Sequence, residues 1–275
     1  MKAAYLGPPG TFTEEALIAT PECAGAEPVA MATIPEVISA VERGSVARGI
    51  VPIENSIEGS VNITLDTLAG ETHAVQVQRE VVLPIRHCLL ARPHIPLGDV
   101  TDVLSHPHAT AQCRGSLAAL LPGVRVHASN STAEAAQEVS EKDAPWAAIG
   151  TRLAAEIYGL TILAPDIEDR HENATRFVLL GREPVPPTGT DKTSVVCYIE
   201  KDRPGSLLAI LHEFSDRGIN LTKLESRPTK EGLGEYCFFI DMEGHASDAQ
   251  IGHALNSLRT KILDVRVLGS YPRAV

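Results

Sequence analysis

Short apolar runs alternate with helical segments over the first two thirds of the chain, and this alternation constrains the fold more than any other feature. The first run, residues 2–6, leads through a Gly-Pro turn into a helix that we expect to begin near Thr11 or Thr13. Alternating strands and helices of these lengths are typical of an α/β fold with mainly parallel sheets. Further strands are predicted at 48–53, 81–91, 101–105, 124–128, 146–150, 161–164 and 176–181, and helices at 35–44, 109–121, 132–140 and 151–158.

The pattern changes after residues 182–191 (REPVPPTGTD), where three prolines and one glycine stand among polar residues and indicate a linker. The following segment has the order βαββαβ, which is typical of the ferredoxin-like fold. We therefore predict one domain over 1–181 and a second over 192–275. In the second domain, strands are predicted at 193–200, 219–227, 235–243 and 263–269, and helices at 204–217 and 247–260.

The composition excludes several classes of function. A net charge of −11 and a pI near 5.4 argue against a nucleic-acid partner, which requires clustered Lys and Arg. An anionic ligand would have to be bound by local donors, because the charge of the whole protein repels it. Five cysteines at wide spacings, with no Cys-x-x-Cys, predict a reduced cytoplasmic chain. The N-terminus does not resemble a signal peptide, and no apolar run approaches the length of about 20 residues that spans a bilayer.

Four segments are rich in small and polar residues at positions where a packed core would exclude them. The first segment, residues 7–12, lies between a strand and a helix, where open sheets bind ligands and helix N–H groups bind anions. It lacks the Gly-Lys-Ser/Thr ending of a P-loop, and a tight turn with a threonine cap is the alternative. The second segment, residues 51–66, is interpreted either as a ligand-binding strand end rich in hydrogen-bonding groups or as a solvated loop. The segments are GPPGTF (7–12), VPIENSIEGSVNITLD (51–66), SHPHATAQC (105–113) and NATRF (173–177).

The remaining two segments allow few kinds of chemistry. His106 and His108 are not expected to bind a metal, because no third ligand has suitable spacing. Cys113 is expected to be a buried, inert thiol. Thr175 and Arg176 offer a hydroxyl and a cation, although a salt-bridged arginine at the start of a strand is equally compatible. The residues by themselves therefore predict an α/β enzyme or binding protein for a small anion.

In this order, the four segments resemble those of the prephenate dehydratases. The sequence ESRP, residues 225–228, resembles the effector-binding motif of the ACT domain in the same enzymes. The resemblance implies a two-lobed catalytic domain similar to periplasmic binding proteins, with the active site between the lobes and an ACT domain after the linker. Lobe one would comprise about 1–80 and 160–181, and lobe two about 81–159.

The resemblance also implies roles for particular residues. It implies prephenate as substrate, L-phenylalanine as feedback inhibitor, and a homodimer or homotetramer with effector sites across a subunit interface. It assigns the catalytic hydroxyl to Thr175. No cofactor or metal is expected, because the ring of prephenate becomes aromatic in the reaction and no electron sink is needed. The motif Gly-Ala-Leu-Val of many relatives is Gly-Ser-Leu-Leu in this chain, which bears on effector selectivity. Expected substrate-binding residues are Thr11, Asn55, Ser56, Ser105, Gln112 and Arg176, and expected effector-binding residues are Gly205, Ser206, Leu207, Leu208, Glu225, Ser226, Arg227 and Pro228.

Three other functions are alternatives to this one. Arogenate dehydratase performs the same elimination on an amino acid, and the residues do not separate the two substrates. A non-catalytic sensor or solute-binding protein would have the same fold, but Thr175 within an intact TRF sequence and the missing signal peptide argue against it. A bifunctional chorismate mutase–dehydratase is not expected, because no helical mutase segment precedes residue 1.

Overall fold

The computed structural model describes residues 1–70, 72–199, 203–230 and 235–274. The chain divides into two compact units, each made of separate stretches of sequence. The first unit comprises 1–37, 50–61 and 82–177, and the second comprises 38–49, 62–81 and 178–275. The predicted ACT segment therefore shares a unit with two stretches from the first part of the chain. The domain boundaries at 181 and 192 remain predictions.

The first part of the chain alternates strands and helices as predicted, with differences in detail. The apolar run 81–91 is two strands, and the helix predicted at 109–121 is broken at Cys113, which leaves helical geometry at φ −110° and ψ 11°. Three elements, β2, β4 and α3, were not predicted. The elements are β1 (Lys2–Leu6), α1 (Phe12–Ile18), β2 (Glu27–Met31), α2 (Ile34–Glu42), β3 (Arg48–Asn55), β4 (Gly59–Ser60), α3 (Asn62–Gly70), β5 (Gln76–Pro84), β6 (Cys88–Ala91), β7 (Asp102–Ser105), α4 (Pro107–Gln112), α5 (Arg114–Leu120), β8 (Arg125–Ala128), α6 (Thr132–Glu141), β9 (Trp146–Gly150), α7 (Arg152–Tyr158), β10 (Thr161–Ala164) and β11 (Ala174–Gly181).

A first sheet has the strand order β2-β1-β3-β11-β5, with β4 paired to β3. Strands β1 and β2 run parallel, with Lys2 opposite Glu27. The polar segments 51–66 and 173–177 contain the ends of two neighbouring strands, because β3 finishes at Asn55 and β11 begins at Ala174. The fold thus brings together two of the four polar segments that are far apart in sequence.

A second sheet lies within the first unit and has the order β10-β6-β9-β7-β8. Its strand β6 is buried on both faces: Cys88 and Leu90 pack with α6 and α7, whereas Leu89 and Ala91 pack with α4 and α5. Burial on both faces explains why this strand is a continuous apolar run. Strand β7 is parallel to β8 and β9, but β6 is antiparallel to β9 and β10, so the expectation of mainly parallel sheets holds for only part of this sheet.

The C-terminal segment forms a third sheet, with the order β13-β14-β12-β15. Every described pairing in it is antiparallel, and two helices share one apolar core with the sheet. This is the predicted βαββαβ order, although Glu200 of the predicted first strand lies outside the described residues. The elements are β12 (Asp191–Tyr198), α8 (Ser206–Ser215), β13 (Leu221–Pro228), β14 (Tyr236–Glu243), α9 (Ala249–Leu258) and β15 (Asp264–Pro272). Within the described ranges, no helix has the length and apolar character needed to cross a membrane.

Candidate active site

A cavity of about 350 Å³ lies in the first unit, where the beginnings of α1, α4 and α6 meet the end of β3 and the beginning of β11. None of its described lining residues is a lysine or an arginine, so its charged and titratable groups are one glutamate and three histidines. The lining residues are Phe12, Thr13, Pro52, Asn55, Glu58, Ile85, His87, His106, His108, Ala109, Gln112, Asn130, Ser131, Thr132, Asn173, Thr175 and Phe177.

The orientation of the Asn55 side-chain amide determines which groups in this site donate hydrogen bonds and which accept them. Its Oδ1 accepts hydrogen bonds from the backbone N–H groups of Ile57 and Glu58, at 2.9 and 3.0 Å. Because a backbone N–H can only donate, the oxygen of the amide must face these two residues. The Nδ2 group must therefore face the other way, and it donates to Asn173 Oδ1 at 2.8 Å and to Thr175 Oγ1 at 2.9 Å.

The polarity of Asn55 extends through the neighbouring amides to a histidine. Since Asn173 presents its oxygen to Asn55, its Nδ2 faces Gln112 and donates to Oε1 at 2.9 Å. The same Gln112 oxygen lies 3.2 Å from His87 Nε2. An amide oxygen only accepts, so His87 must hold a hydrogen on Nε2. Two backbone N–H groups thus determine the direction of every hydrogen bond as far as this imidazole.

Thr175 lies at the other end of this chain of hydrogen bonds and is buried against the cavity. Its Oγ1 accepts the Asn55 amide proton, so its own proton points elsewhere. A hydroxyl held as an acceptor on one side is a preorganised donor on the other, and a donor of this kind stabilises negative charge that develops on a ligand oxygen.

The predicted substrate-binding residues divide into two sets. Asn55 and Gln112 line the cavity together with Thr175. Ser105 is fully buried, and its hydroxyl donates to the carbonyl of Ile149 at 2.9 Å. The Ser56 hydroxyl accepts from the Ala174 N–H at 3.0 Å and so holds the start of β11.

Thr11 and Arg176 also have internal partners. The Thr11 hydroxyl donates to the carbonyl of Leu6 and accepts from the Glu14 N–H, as the cap of α1. Arg176 Nη2 lies 2.9 Å from Glu54 Oε2, which is the ion pair considered as its alternative role. Neither residue is among those that line the cavity. Their assignment to substrate binding remains a prediction.

The GPPGTF segment packs against α7. Gly10 has φ +88°, and a Cβ on it would lie 2.9 Å from Ala154 Cα, so the left-handed conformation and the close approach both require glycine. Its carbonyl accepts from Thr151 Oγ1, and the Pro9 carbonyl accepts from the Tyr158 hydroxyl, each at 2.8 Å. The segment therefore positions Phe12, the residue that borders the cavity.

The histidines of the third segment lie beside Glu58 at the cavity. His108 Nδ1 is 3.5 Å from Glu58 Oε2, and the rings of His106 and His108 meet edge to face. Burial, followed by the charge of His108, lowers the pKa of His106. No group of three or more metal-binding side chains occurs in the described part of the chain. Cys113 is fully buried and its pKa is raised, mainly by burial, which agrees with the inert thiol that was expected.

Sequence reasoning did not identify several residues of the cavity. His87 lies in an apolar run, so only its burial and its bond to Gln112 reveal it. Asn173 was within a recognised segment but was not assigned a role. Ser131 caps α6 by accepting from the Glu134 N–H at 2.9 Å. The Ser-x-x-Glu spacing of residues 131–134 is a recognisable capping signal, and it could have identified Ser131 as the cap of the helix predicted at 132–140.

Comparison with known proteins places these features in a family. The model of the prephenate dehydratase family matches residues 3–185, and the model of the ACT domain matches residues 193–260. The chain belongs to the prephenate dehydratase family. A curated prephenate dehydratase from Amycolatopsis methanolica is 46% identical over 276 residues, covering 99% of this chain and 89% of the relative.

Solved structures confirm the fold of the prephenate dehydratase family. The crystal structure of a prephenate dehydratase in complex with L-Phe, from Arthrobacter aurescens, is 42% identical with a TM-score of 0.93, covering 100% of this chain and 90% of that one. A structure described as GqqA, a novel type of quorum quenching acylases, is 31% identical with a TM-score of 0.88, covering 100% and 98%. The expected α/β fold of periplasmic-binding-protein type, with a C-terminal ACT domain, is confirmed.

The ESRP motif of the ACT domain is divided between two faces of its edge strand. Exposed and half-buried residues alternate along β13, so Ser226 and Pro228 share one face and Glu225 and Arg227 share the other. Ser226 is directly opposite Phe238, which belongs to the core beneath the helices. The four residues therefore do not face a single ligand from one strand surface.

Arg227 is bonded to helix α3 within the same unit. Its guanidinium donates to both carboxylate oxygens of Asp66 and to Asn62 Oδ1, and Lys230 Nζ lies 2.6 Å from the same carboxylate. Hydrogen bonds and charge from Lys230 and Arg227 outweigh the opposing effect of burial, so the pKa of Asp66 is lowered.

The Gly-Ser-Leu-Leu motif begins α8 and borders an open groove. Gly205 takes the left-handed conformation at φ +90°, as the N-cap of the helix. The groove is lined by all four residues of the motif, together with Phe238 and others. Leu208 is 56% exposed, and Leu224 on the same face as Ser226 is 44% exposed. Contiguous exposed apolar patches, and not single exposed side chains, mark surfaces that bind a ligand or another subunit.

Proposed function

We propose that this protein catalyses the conversion of prephenate to phenylpyruvate in L-phenylalanine biosynthesis and that L-phenylalanine inhibits it through the ACT domain. The observation that supports the catalytic part best is the hydrogen bond that Thr175 Oγ1 accepts from Asn55 Nδ2. Because the Thr175 oxygen accepts this bond, the Thr175 hydroxyl proton is available to a ligand in the cavity. Membership of the prephenate dehydratase family supports the choice of substrate.

The reaction divides the prephenate dianion into phenylpyruvate, carbon dioxide and hydroxide. The bond from the ring to its carboxylate breaks, its electron pair enters the ring, and the bond to the ring hydroxyl breaks with its electron pair on oxygen. The product ring is aromatic, so no electron sink is required. In this scheme Thr175 donates a hydrogen bond to the departing oxygen, where negative charge develops. We assign it a hydrogen bond and not full proton transfer, because an aliphatic hydroxyl is a weak acid.

Neutral groups supply the binding of the anion in this proposal. The cavity is bordered by Thr132, the first residue of the ten-residue helix α6, by its N-cap Ser131 and by the preceding Asn130. Backbone N–H groups at such a helix end favour a carboxylate. A site of this kind binds a dianion although the whole chain has a net charge of −11. Ser105, Ser56, Thr11 and Arg176 would then shape the site from behind, because their described bonds are internal.

The regulatory part of the proposal rests on the ACT domain. The relative from Arthrobacter aurescens was crystallised in complex with L-Phe, and that observation supports L-phenylalanine as effector of this chain. The groove at Gly205 and the exposed Leu208 and Leu224 are suited to an amino acid held between two copies of the chain, so we propose a homodimer or homotetramer. All five cysteines are buried free thiols, which supports a cytoplasmic location.

The test is phenylpyruvate formation from prephenate, measured by absorbance in alkali, with and without L-phenylalanine. Thr175→Val keeps the shape of the side chain but removes the hydroxyl, and we expect kcat to fall by about 100-fold or more. Thr175→Ser is the matched control, because it keeps the hydroxyl and should retain more activity than the valine variant. Equal turnover by the wild type and Thr175→Val would exclude the role proposed for this hydroxyl.

Two alternatives are separated by the same assay. Arogenate in place of prephenate tests for arogenate dehydratase, since the two substrates differ only in the side chain that bears either a keto or an amino group. A protein that binds L-phenylalanine but turns over neither substrate would be a non-catalytic sensor, and the catalytic proposal would then be wrong.

A further inference from the structure

One buried side-chain nitrogen on the cavity wall belongs to His87. His87 is 2% exposed and lines the cavity, and its Nδ1 has no hydrogen-bond partner among the residues that the structure describes. Leaving a buried polar atom without a partner costs free energy, so native proteins rarely do so without a functional reason. The position of His87 on the wall of a ligand cavity indicates where the missing partner comes from.

The chemistry of the nitrogen is determined by the hydrogen bonds on the other side of the ring. His87 holds a hydrogen on Nε2, because it must donate to Gln112 Oε1. Burial lowers the pKa of His87, and the bond to Gln112 and the charge of Glu168 oppose this effect without reversing it. The imidazole is therefore neutral near pH 7, and Nδ1 is a bare acceptor.

A bare acceptor selects the part of the substrate that it can bind. At neutral pH both carboxylates of prephenate are ionised and its keto group has no hydrogen, so the ring hydroxyl is the only hydrogen-bond donor in the molecule. Thr175 offers a donor to the same cavity, and it is joined to His87 through Asn55, Asn173 and Gln112 by contacts of 2.8–3.2 Å. A hydroxyl group matches such a pair, since it donates one hydrogen bond while it accepts another.

We propose that His87 is a substrate-binding residue of this enzyme, whose Nδ1 accepts a hydrogen bond from the ring hydroxyl of prephenate. With its hydrogen held by His87, the hydroxyl directs a lone pair to Thr175, and it departs as hydroxide when the ring carboxylate leaves as carbon dioxide. The inference rests on the proposed function and adds to it the residue that orients the leaving group.

The surroundings hold the imidazole in place for this role. Its backbone N–H donates to Glu168 Oε2 at 3.0 Å, and Glu168, itself 3% exposed, is paired with Arg86 at 2.8 Å. The ring of Phe12 meets the imidazole edge to face, with centroids 5.4 Å apart. An imidazole held by Gln112, Glu168 and Phe12 loses little further conformational freedom when a ligand binds.

The discriminating variant is His87→Gln. A glutamine places its amide nitrogen near the position of Nε2, so it can still donate to Gln112, but it has no acceptor at the position of Nδ1. We expect kcat/KM for prephenate to fall by about tenfold, the equivalent of one lost hydrogen bond. The comparison variant His87→Leu removes both functions, and thermal melting of all three proteins establishes that they are folded.

The outcomes separate the possible roles. An active wild type together with a His87→Gln variant of equal kcat/KM would overturn this inference alone, because the histidine would then serve only to hold Gln112. A wild type without turnover of prephenate would overturn the proposed function, and this inference with it.

A second measurement does not depend on the glutamine variant. In ¹⁵N-histidine-labelled Thr175→Val protein, which we expect to bind prephenate and turn it over slowly, the Nδ1 resonance of His87 should move from the position of a bare nitrogen toward that of a hydrogen-bonded one. An unchanged resonance at saturating prephenate would overturn the inference.

Discussion

Arg227 and Asp66 form a two-pronged ion pair, with Arg227 Nε 2.9 Å from Oδ1 and Nη2 3.0 Å from Oδ2 of the carboxylate. Arg227 belongs to the sequence ESRP (225–228), whose residues are predicted to bind the effector. Asp66 lies on α3 and is the last residue of the polar segment 51–66. Two earlier residues of this segment, Asn55 and Glu58, line the cavity. Within the second unit, the ESRP sequence is therefore bonded to α3, the helix that follows the cavity-lining residues along the chain.

This ion pair leads to a prediction about regulation. Asp66→Asn removes the charge that Arg227 and Lys230 share, so a rearrangement of β13 on binding of L-phenylalanine would be transmitted less strongly to α3. We expect the concentration of L-phenylalanine that halves the variant's own uninhibited rate to rise about fivefold or more, the lower range of typical coupling energies. Inhibition curves for phenylpyruvate formation provide the measurement. Asp99→Asn, at an exposed carboxylate, is the control, and an identical shift in both variants would exclude a specific role for the pair.

Most of the elements could be predicted from sequence, because their burial follows simple periodicities. Strand β6 is buried at every residue, whereas half-buried and exposed residues alternate along β13. The two sequence patterns differ because β6 buries both faces and β13 buries only one. The linker composition and the βαββαβ order likewise led to the ferredoxin-like C-terminal segment. Helix α3 was missed because its residues 62–70 include asparagine, two threonines and a glycine, which are weak helix formers.

The site was predictable as a set of segments but not as a geometry. The four polar segments indicated which residues to consider, and Asn55, Gln112 and Thr175 do line one cavity. Sequence could not indicate that the Ser105 hydroxyl turns inward to Ile149 or that Arg227 faces α3, since both depend on the direction of one side chain in a packed fold. The role of His87 depends on hydrogen bonds between residues 25 and more positions apart, which no local pattern reveals.

The fixed polarity of the amide chain leads to a second prediction. Asn55→Asp keeps the oxygen that accepts from Ile57 and Glu58 but replaces the Nδ2 donor by a second oxygen, which would face Asn173 Oδ1 and Thr175 Oγ1. Thr175 would then donate its proton to residue 55 and lose it as a donor to substrate. We expect kcat for prephenate to fall by about 100-fold, similar to removal of the hydroxyl itself.

The matched control for this change is Asn256→Asp on the exposed face of α9. Its Oδ1 accepts from Arg259, so the same chemical replacement retains the acceptor and reverses no polarity. We expect the control to keep the wild-type kcat. An Asn55→Asp variant with wild-type kcat would mean that the amide chain does not set the direction of the Thr175 proton.

A third prediction concerns stability. Lys192 Nζ lies 2.9 and 2.7 Å from the two oxygens of Glu80, and both side chains are largely buried, at 11% and 3% exposed. Lys192→Met leaves the buried carboxylate without its lysine, so we expect the free energy of unfolding to fall by about 3 kcal/mol or more. Urea unfolding provides the measurement, and the double variant Lys192→Met/Glu80→Met should recover most of the loss.

The control for Lys192 is an ion pair in solvent. Lys2 and Glu27 are 3.6 Å apart with side chains 55% and 66% exposed, so Lys2→Met should cost less than about 1 kcal/mol. Similar losses for the two lysine variants would show that burial does not determine the contribution of the Lys192–Glu80 pair.

The last prediction is a pH dependence that follows from the buried imidazole. Burial is the largest influence on His87 and lowers its pKa, against opposing effects of the Gln112 hydrogen bond and the charge of Glu168. The other groups around it are the uncharged ring of Phe12, and Arg86 and His171, which are both bonded to Glu168. In the unfolded chain the histidine titrates near pH 6.5. As the pH falls below that value the unfolded state binds a proton that the native state does not, so His87 makes the free energy of unfolding decrease until the pH reaches its lower native pKa.

His87→Gln removes this dependence while it keeps the donor to Gln112. Between pH 6.5 and the native pKa, we expect the unfolding free energy of the wild type to fall more steeply with decreasing pH than that of the variant, by up to about 1.4 kcal/mol per pH unit. Urea unfolding of both proteins from pH 7.5 to 5 measures the two slopes, with His253→Gln on the exposed face of α9 as the control for removing a histidine. If the unfolding free energies of the wild type and His87→Gln changed in parallel with pH, His87 would take up its proton equally in the folded and unfolded states. Nδ1 would then not be a bare acceptor at the acidic end of this range.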